Sequence, residues 1–402
     1  MEKSTATIAF LLVSTMVTTA APSSMEGLIE GLRPHLRFAD ESGHFRAQVS
    51  GWVDLDFYRF EGAAPGLLRS SDDRLWSPRI SLFLDFQMGR ELYGFVQARA
   101  YRGFDPADQA AQVRIDEYAL RYAPGGGRQI GFQIGQFATV AGQWPLRHLS
   151  WQNPFINAPL LYEHPTGLTD LRALENATDL QYSEYEGYYS NPLIWGPAYT
   201  SGLAAFGSLE SFEWAVELKN GSLMSRPEFW PIDALGFDHP TLTGRIAWAP
   251  DPRWTFGLSG SRGSFAGPHA FPKPEDFQQS LFLVDASYEH RHLQIWTEIA
   301  WSAFSMPGIA EKLHSASWFL TVDYKLTPRL SVAVRWNDQR FSSYRYYGKD
   351  QGPWGDELRR LDLSATWRLN AFAQWLIELD HYWEDNQEGR RLILATRLTV
   401  RF

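Results

Sequence analysis

Apolar residues recur at every second position along most of this chain. "RISLFLDFQM" puts Ile80, Leu82, Leu84, Phe86 and Met88 on one face and Arg79, Ser81, Phe83, Asp85 and Gln87 on the other. "ELYGFVQARAY", "FEWAVELK", "SWFLTVDYKL", "LDLSATWRL" and the final "RRLILATRLTVRF" alternate in the same way. A period of two sustained over about ten residues predicts β-strands with one greasy face. Helical periodicity is confined to "SMEGLIEGLRPHLRF", which Pro34 ends.

The pattern predicts about sixteen strands, near 46–60, 77–88, 91–102, 112–123, 128–138, 198–207, 210–219, 240–249, 253–262, 279–290, 292–304, 313–326, 329–341, 358–369, 371–384 and 390–402. An extra hairpin within 176–197 would make eighteen. Short turns at Gly89-Arg90, "PGGG" (124–127), Ser208-Leu209, "PDP" (250–252), Arg291, Thr327-Pro328 and Asn370 alternate with long polar connections. The latter lie near 61–76, 103–111, 139–197, 220–239, 263–278, 305–312, 342–357 and 385–389. This is the rhythm of antiparallel hairpins standing between two compartments.

No helices are available to cover a sheet, and the second face carries Arg, Asp, Glu, Gln and Tyr. The fold class expected is therefore all-β: a transmembrane antiparallel β-barrel with lipid outside, a polar lumen, and no open edge. Trp248 and Trp254 flank the "PDP" turn, and Trp367 and Tyr324 sit near two others, where an interfacial aromatic girdle belongs.

Composition sharpens this picture. A chain of 402 residues exceeds one ordinary globular core. Its 17 Trp and 17 Tyr suit a girdle, and a mean hydropathy of −0.31 excludes a bundle of membrane helices. There is no cysteine, hence no disulfide framework or thiolate chemistry. A net charge of −9 argues against a nucleic-acid partner. Lys3, the apolar run Ile8–Val17 and the small residues at Ala20 and Ala21 read as a secretory signal peptide. The organisation expected is a signal peptide over 1–20, a short periplasmic segment over 21–45 and the barrel over 46–402.

The connection 139–197 is too long to be structureless unless it serves a function. Pro154, Pro159 and Pro165 stiffen it. Trp151, Phe155, Leu160, Leu161 and Tyr162 are expected to pack it against the wall, and Glu163, Asp170, Arg172 and Glu175 to face the pore. Trp151, Asn153, Pro154, Phe155, Glu163, Asp170 and Glu175 form the expected constriction. The expected pore-lining charges are Arg79, Arg99, Arg121, Arg335, Arg368, Arg397, Asp54 and Asp85, with Arg360, Arg391, Asp56, Glu213, Glu298, Asp323, Asp362 and Glu378 also inward. Arginines facing acids on the loop would set up a transverse field that selects small polar solutes. Inward aromatics (Trp52, Tyr58, Phe83, Tyr93, Phe95 and Tyr101) raise an alternative, a slide of rings for sugars. His148, Glu163 and His164 match no metal-site spacing, and no nucleophile motif or phosphate-binding loop stands out, so neither a cofactor, a metal nor an enzymatic activity is expected.

Three stretches carry a family resemblance. The final strand ending on Phe402 resembles the closing strand of Gram-negative outer-membrane proteins, which pairs with strand one and is read by the barrel-assembly machinery. "RFADESGHFRAQVSGWVDLDFY" (37–58), with Gly51, Asp54 and Asp56, resembles the entry into the phosphate-selective porin (O/P) family. "IGQFATVAGQWPLRHLSWQNPFINAPL" (134–160), through Gly135, Gln136, Phe137, Thr139 and Gly142, resembles the strand-five-to-loop segment of those porins, with Gln136 where lysine is common. The resemblance implies a passive diffusion porin in the outer membrane of a Gram-negative bacterium, homotrimeric, with a pore-constricting third loop, passing small hydrophilic solutes or ions. The alternatives are a carbohydrate-selective channel and a plugged structural or adhesive barrel.

Overall fold

The computed structural model describes residues 25–61, 66–68, 70, 72–101, 112–126, 130–171, 180, 190–226, 237, 239–267, 273–384 and 390–402. The signal-peptide segment 1–20 lies outside them. Sixteen long strands run in chain order. They are β1 (Phe45–Phe60), β2 (Arg74–Met88), β3 (Leu92–Tyr101), β4 (Gln112–Tyr122), β5 (Gly131–Phe137), β6 (Thr200–Leu209), β7 (Phe212–Lys219) and β8 (Thr241–Asp251). There follow β9 (Trp254–Ser264), β10 (Gln278–His290), β11 (Leu293–Met306), β12 (Ile309–Lys325), β13 (Leu330–Phe341), β14 (Leu358–Arg368), β15 (Ala373–Glu384) and β16 (Arg390–Arg401). Each pairs antiparallel with the next, and β16 returns to β1 with Ile393 opposite Phe60 and Arg401 opposite Trp52. The sheet is a closed barrel. Because β5 pairs directly with β6, no eighteen-stranded arrangement arises.

The predicted alternation becomes an outside and an inside. Ile80, Leu82 and Leu84 are 38–45% exposed on the outer surface, and Val113 reaches 78%. A continuous apolar exterior on this scale is foreign to soluble monomers. Aromatics gather at the short-turn end: Trp254 lies 4.5 Å from Tyr288 and 5.6 Å from Phe256, and Trp248 5.9 Å from Phe256. The one helical stretch the sequence predicted is α1 (Met25–Leu32), followed by a 3-10 turn over Arg33–Leu36.

The seam depends on Gly51. A Cβ there would stand 2.6 Å from the Ser81 carbonyl oxygen and 2.7 Å from the Phe402 ring. Phe402 donates its amide to the Gly51 carbonyl at 2.9 Å and accepts from the Gly51 amide at 3.3 Å.

Two expectations fail here. The polar connection expected at 305–312 is strand: β11 and β12 run on to Met306 and Ile309 and meet at Pro307-Gly308. Met306, Ile309 and Leu313 point inward and are buried, so extending the strands gains apolar burial that a polar loop would forgo. Nor is the inner face uniformly polar. Leu281, Leu283, Trp296, Ala300, Phe304 and Phe319 face inward on β10–β12 and form a buried core with the segment that fills the barrel.

Candidate functional site

That segment is the connection from β5 to β6. Gly135 starts its approach: at φ +141 the chain comes so near β4 that a Cβ would lie 2.1 Å from the Tyr118 carbonyl oxygen. Gln136 donates to the Asp116 carbonyl at 3.0 Å, so the residue standing where lysine is common serves the wall. Thr139 donates its hydroxyl to Glu217 at 2.6 Å.

The chain then turns into the lumen at Gly142, φ +76, where any Cβ would meet the Tyr162 hydroxyl and Glu298. Glu298 on β11 accepts the amides of Gln143 (2.6 Å) and Trp144 (2.7 Å) and the Tyr162 hydroxyl (2.5 Å). It thereby caps the one-turn helix α2 (Trp144–Arg147), whose own Gln143 makes no side-chain cap. Beyond α2, Ser150 donates to Asp54 at 2.6 Å and accepts from Arg79 at 2.8 Å.

The next stretch is seated on β13–β15. Glu378 accepts the amides of Ile156 and Asn157, and Asn157 donates its side-chain amide to Asp380 at 2.6 Å. Arg335 donates to the Asn157 carbonyl at 2.9 Å and to Asp362 at 2.5 Å, with its guanidinium 4.2 Å from the Phe155 ring. The helix α3 (Leu160–Glu163) brings Glu163 onto Arg360, itself paired with Asp362 at 2.7 Å. Bare acids and arginines inside a barrel are costly to desolvate; here the loop's backbone amides and carbonyls supply part of their hydrogen bonds.

The constriction residues are placed as follows. Phe155, Leu160, Leu161 and Tyr162 are fully buried against the wall, with Asn153 and Pro154 buried beside them. Trp151 is half-buried under Arg401 (4.0 Å) and Arg368 (5.6 Å) at the short-turn mouth. Asp170 does not face the pore: it and Arg226 are wholly buried, paired at 2.9 Å, and Gly267 donates its amide to the Asp170 carbonyl. Arg172 and Glu175 lie outside the described residues.

Among the pore-lining candidates, Asp54 and Arg79 pair at 2.7 Å, and Asp56 and Arg397 at 2.6 Å. Arg121 grips Gln133 at 2.7 Å, and Asp85 accepts from the Tyr93 hydroxyl. Of the loop acids predicted to face wall arginines, Glu163 is paired with Arg360 of β14, whereas Asp170 is paired with Arg226, which lies outside the wall strands. The rings of the sugar-slide alternative are described only in part. Trp52 and Phe83 touch at 4.5 Å, but Tyr58 is buried against Phe60, and the Tyr101 side chain lies outside the described residues. His148, Glu163 and His164 go to separate partners: Tyr199, Arg360 and the Asp356 carbonyl.

Two lumen residues run against the alternation on which the sequence reading relied. Gln97 of β3 opposes Glu117 while Ala98 opposes Ile115, so Asp116 is an extra residue, a β-bulge. Strict alternation from Arg121 would send Asp116 and Arg114 outward; the bulge turns both inward. Asp116 meets Arg99 at 3.1 Å and Arg114 at 3.4 Å. A cleft of about 100 Å³ remains between this wall and the loop. His148, beside it, accepts from the Tyr199 hydroxyl through Nε2 (2.6 Å), because its Nδ1 must donate to the Pro145 carbonyl (2.6 Å). Burial, and then the nearby Arg99, push its pKa down to about 3, so the ring is uncharged.

No protein-family profile matches the chain, and no curated protein matches it by sequence. Solved structures do match its fold. OmpT, an outer membrane protein of Vibrio cholerae, in its in-vitro folded form, superposes with a TM-score of 0.57 at 8% identity, over 89% of this chain and 98% of that one. An anion-selective porin from Comamonas acidovorans gives 0.56 at 8% identity, over 89% and 100%. OmpF of Salmonella typhi, in complex with daunomycin, gives 0.55 at 9% identity, over 91% and 100%.

Proposed function

We propose that this chain is an outer-membrane porin of a Gram-negative bacterium, a non-enzymatic passive diffusion channel for small hydrophilic solutes or ions, narrowed by the β5–β6 loop. The observation that carries the reading is a closed barrel with an apolar exterior, a charged interior and a long loop seated inside it. Lipid is the solvent such an exterior requires, and a closed sheet is one of two structures that can cross it with every backbone group paired. The similarity to porin structures supports the same reading. One of the similar structures, OmpT of Vibrio cholerae, is described as a trimer, and we assign this chain the same homotrimeric state. Delivery by an N-terminal signal and insertion by the barrel-assembly machinery follow from the same assignment.

Selection in this channel is by size at the loop and by the charges left accessible beside it. The inner apolar core over β10–β12 favours a second reading, a plugged structural or adhesive barrel, since it seats the loop as a folded domain seats its core. Single-channel recording of the refolded protein in a planar bilayer separates the two. Discrete conductance steps are expected, and the sign of the reversal potential in a salt gradient says whether the arginines or the acids dominate. A correctly folded barrel that stays silent would establish the plug instead.

A further inference from the structure

We infer that the seat of the loop on β13–β15 holds a divalent cation, bound through Glu378, Asp380 and Asn157. Donors that are all oxygen select a hard ion of the calcium or magnesium kind. A channel and a plugged barrel would hold the same ion, so conductance does not bear on the site.

Six charged groups meet there out of contact with solvent. Glu163 comes from the loop, Arg335 from β13, Arg360 and Asp362 from β14, and Glu378 and Asp380 from β15. All six residues are buried. Two guanidiniums thus face four carboxylates. Arg360 pairs with Glu163 and with Asp362 (2.7 Å); Arg335 pairs with Asp362 (2.5 Å) and comes no nearer than 3.9 Å to Glu378. Of the charges around this group, Asp56 and Arg397 close on each other at 2.6 Å, and Arg391, opposite Tyr382 on β16, is engaged in a contact of its own. Among the six, two negative charges are in excess. An interior of low dielectric does not keep two bare carboxylates.

The hydrogen bonds around these charges leave oxygens over. One oxygen of Glu378 takes the amides of Ile156 and Asn157, and one oxygen of Asp380 takes the Asn157 side-chain amide at 2.6 Å. Glu378 Oε1, Asp380 Oδ1 and Asn157 Oδ1 receive no hydrogen bond, and the three residues are at most 2% exposed. Asn157 belongs to the loop, so its orphan carbonyl is independent of the strand acids, and its Nδ2 contact with Asp380 holds that head group at the cluster. Carboxylate oxygens of Asp362, Glu378 and Asp380 lie within 4.8 Å of one another. That is the span of one coordination sphere, twice a calcium–oxygen distance of about 2.4 Å. A single divalent ion answers both surplus charges and all three unpaired oxygens. A proton shared by Glu378 and Asp380 would answer one charge and leave the Asn157 carbonyl bare. The ion ties loop residues 156–163 to three strands and so sets how firmly the loop holds its place in the lumen.

The test is to refold the full-length protein from urea with calcium or magnesium chloride, desalt it into a chelator, and measure bound metal by emission spectrometry. The folded barrel, recognised by its heat-dependent gel shift, is expected to retain one equivalent per chain. Glu378→Gln and Asp380→Asn should each retain less than a tenth of that, and Asp251→Asn, at a short turn, should retain it all. Asn157→Ala leaves every wall strand intact; it should retain at least tenfold less metal while the gel shift persists, and it decides the matter where a carboxylate variant does not fold. Calcium should also slow amide exchange over 156–163 in the wild type and not in Asn157→Ala. A folded wild type that carries no metal would overturn the site and leave protons to neutralise the carboxylates. A full equivalent retained by folded Glu378→Gln or Asn157→Ala would put the metal elsewhere and overturn it too.

Discussion

Asp116 reaches the lumen through one extra residue in β4, and His148 stays neutral through where the loop puts it. The consequence for pH has a definite sign. The folded pKa of His148, about 3, lies below its ordinary 6.5, so the docked loop keeps its full stability above 6.5 and loses it as the pH falls from there towards 3. The groups that face the ring are Tyr199, Trp144, the Pro145 carbonyl, Arg99 and Arg79. None is an acid that would welcome a proton on it. Hydrogen-exchange protection of residues 144–150 should be constant above neutrality and drop below pH ~6. His148→Gln should lack that acid-dependent component; an identical pH profile in the variant would show that other groups govern it.

At the scale of elements, the β5–β6 loop is held by a wall made for it. Residues 156–158 bond to Glu378 and Asp380 of β15, Arg360 of β14 and Arg335 of β13, and each of those side chains would otherwise be a costlier buried charge. Deleting 151–165 should therefore leave a barrel that still closes, since closure resides in the strand ladders, and should raise the single-channel conductance severalfold. Unchanged steps from a folded deletion protein would mean that the loop does not narrow the pore. The loop was legible in the sequence because a connection near sixty residues is rarely structureless, and because its prolines fix its rigid pieces. Its partners were not legible. Asn157 and Asp380 meet across a separation of 223 residues, and only barrel closure sets which wall strand faces which loop residue.

At the scale of the molecule, closure is the organising event. It pairs "GWVDLDFY" with the terminal strand, sets Asp56 opposite Arg397 and Asp54 opposite Thr399, and demands a glycine at position 51. Gly51→Val should push the Phe402 ring and the Ser81 carbonyl apart at a cost of about 1–3 kcal/mol, as overpacking does. A lowered temperature for the heat-dependent gel shift would register it, and a wild-type transition temperature would place Phe402 outside the seam.

The sequence by itself determined most of the strands, their number to within one hairpin, the face most side chains take and the existence of a large loop. Alternation with period two is a local property, and a barrel obeys it strand by strand. What only the tertiary structure decided was which inward groups meet. The bulge at Asp116 breaks the alternation, the inner core over β10–β12 replaces lumen with packing, and the loop acids are captured by Arg360 and Arg226. Each is a contact between segments far apart in the chain. The physical reason is that a strand fixes the direction of a side chain, whereas its partner is fixed by the curvature and closure of the whole sheet.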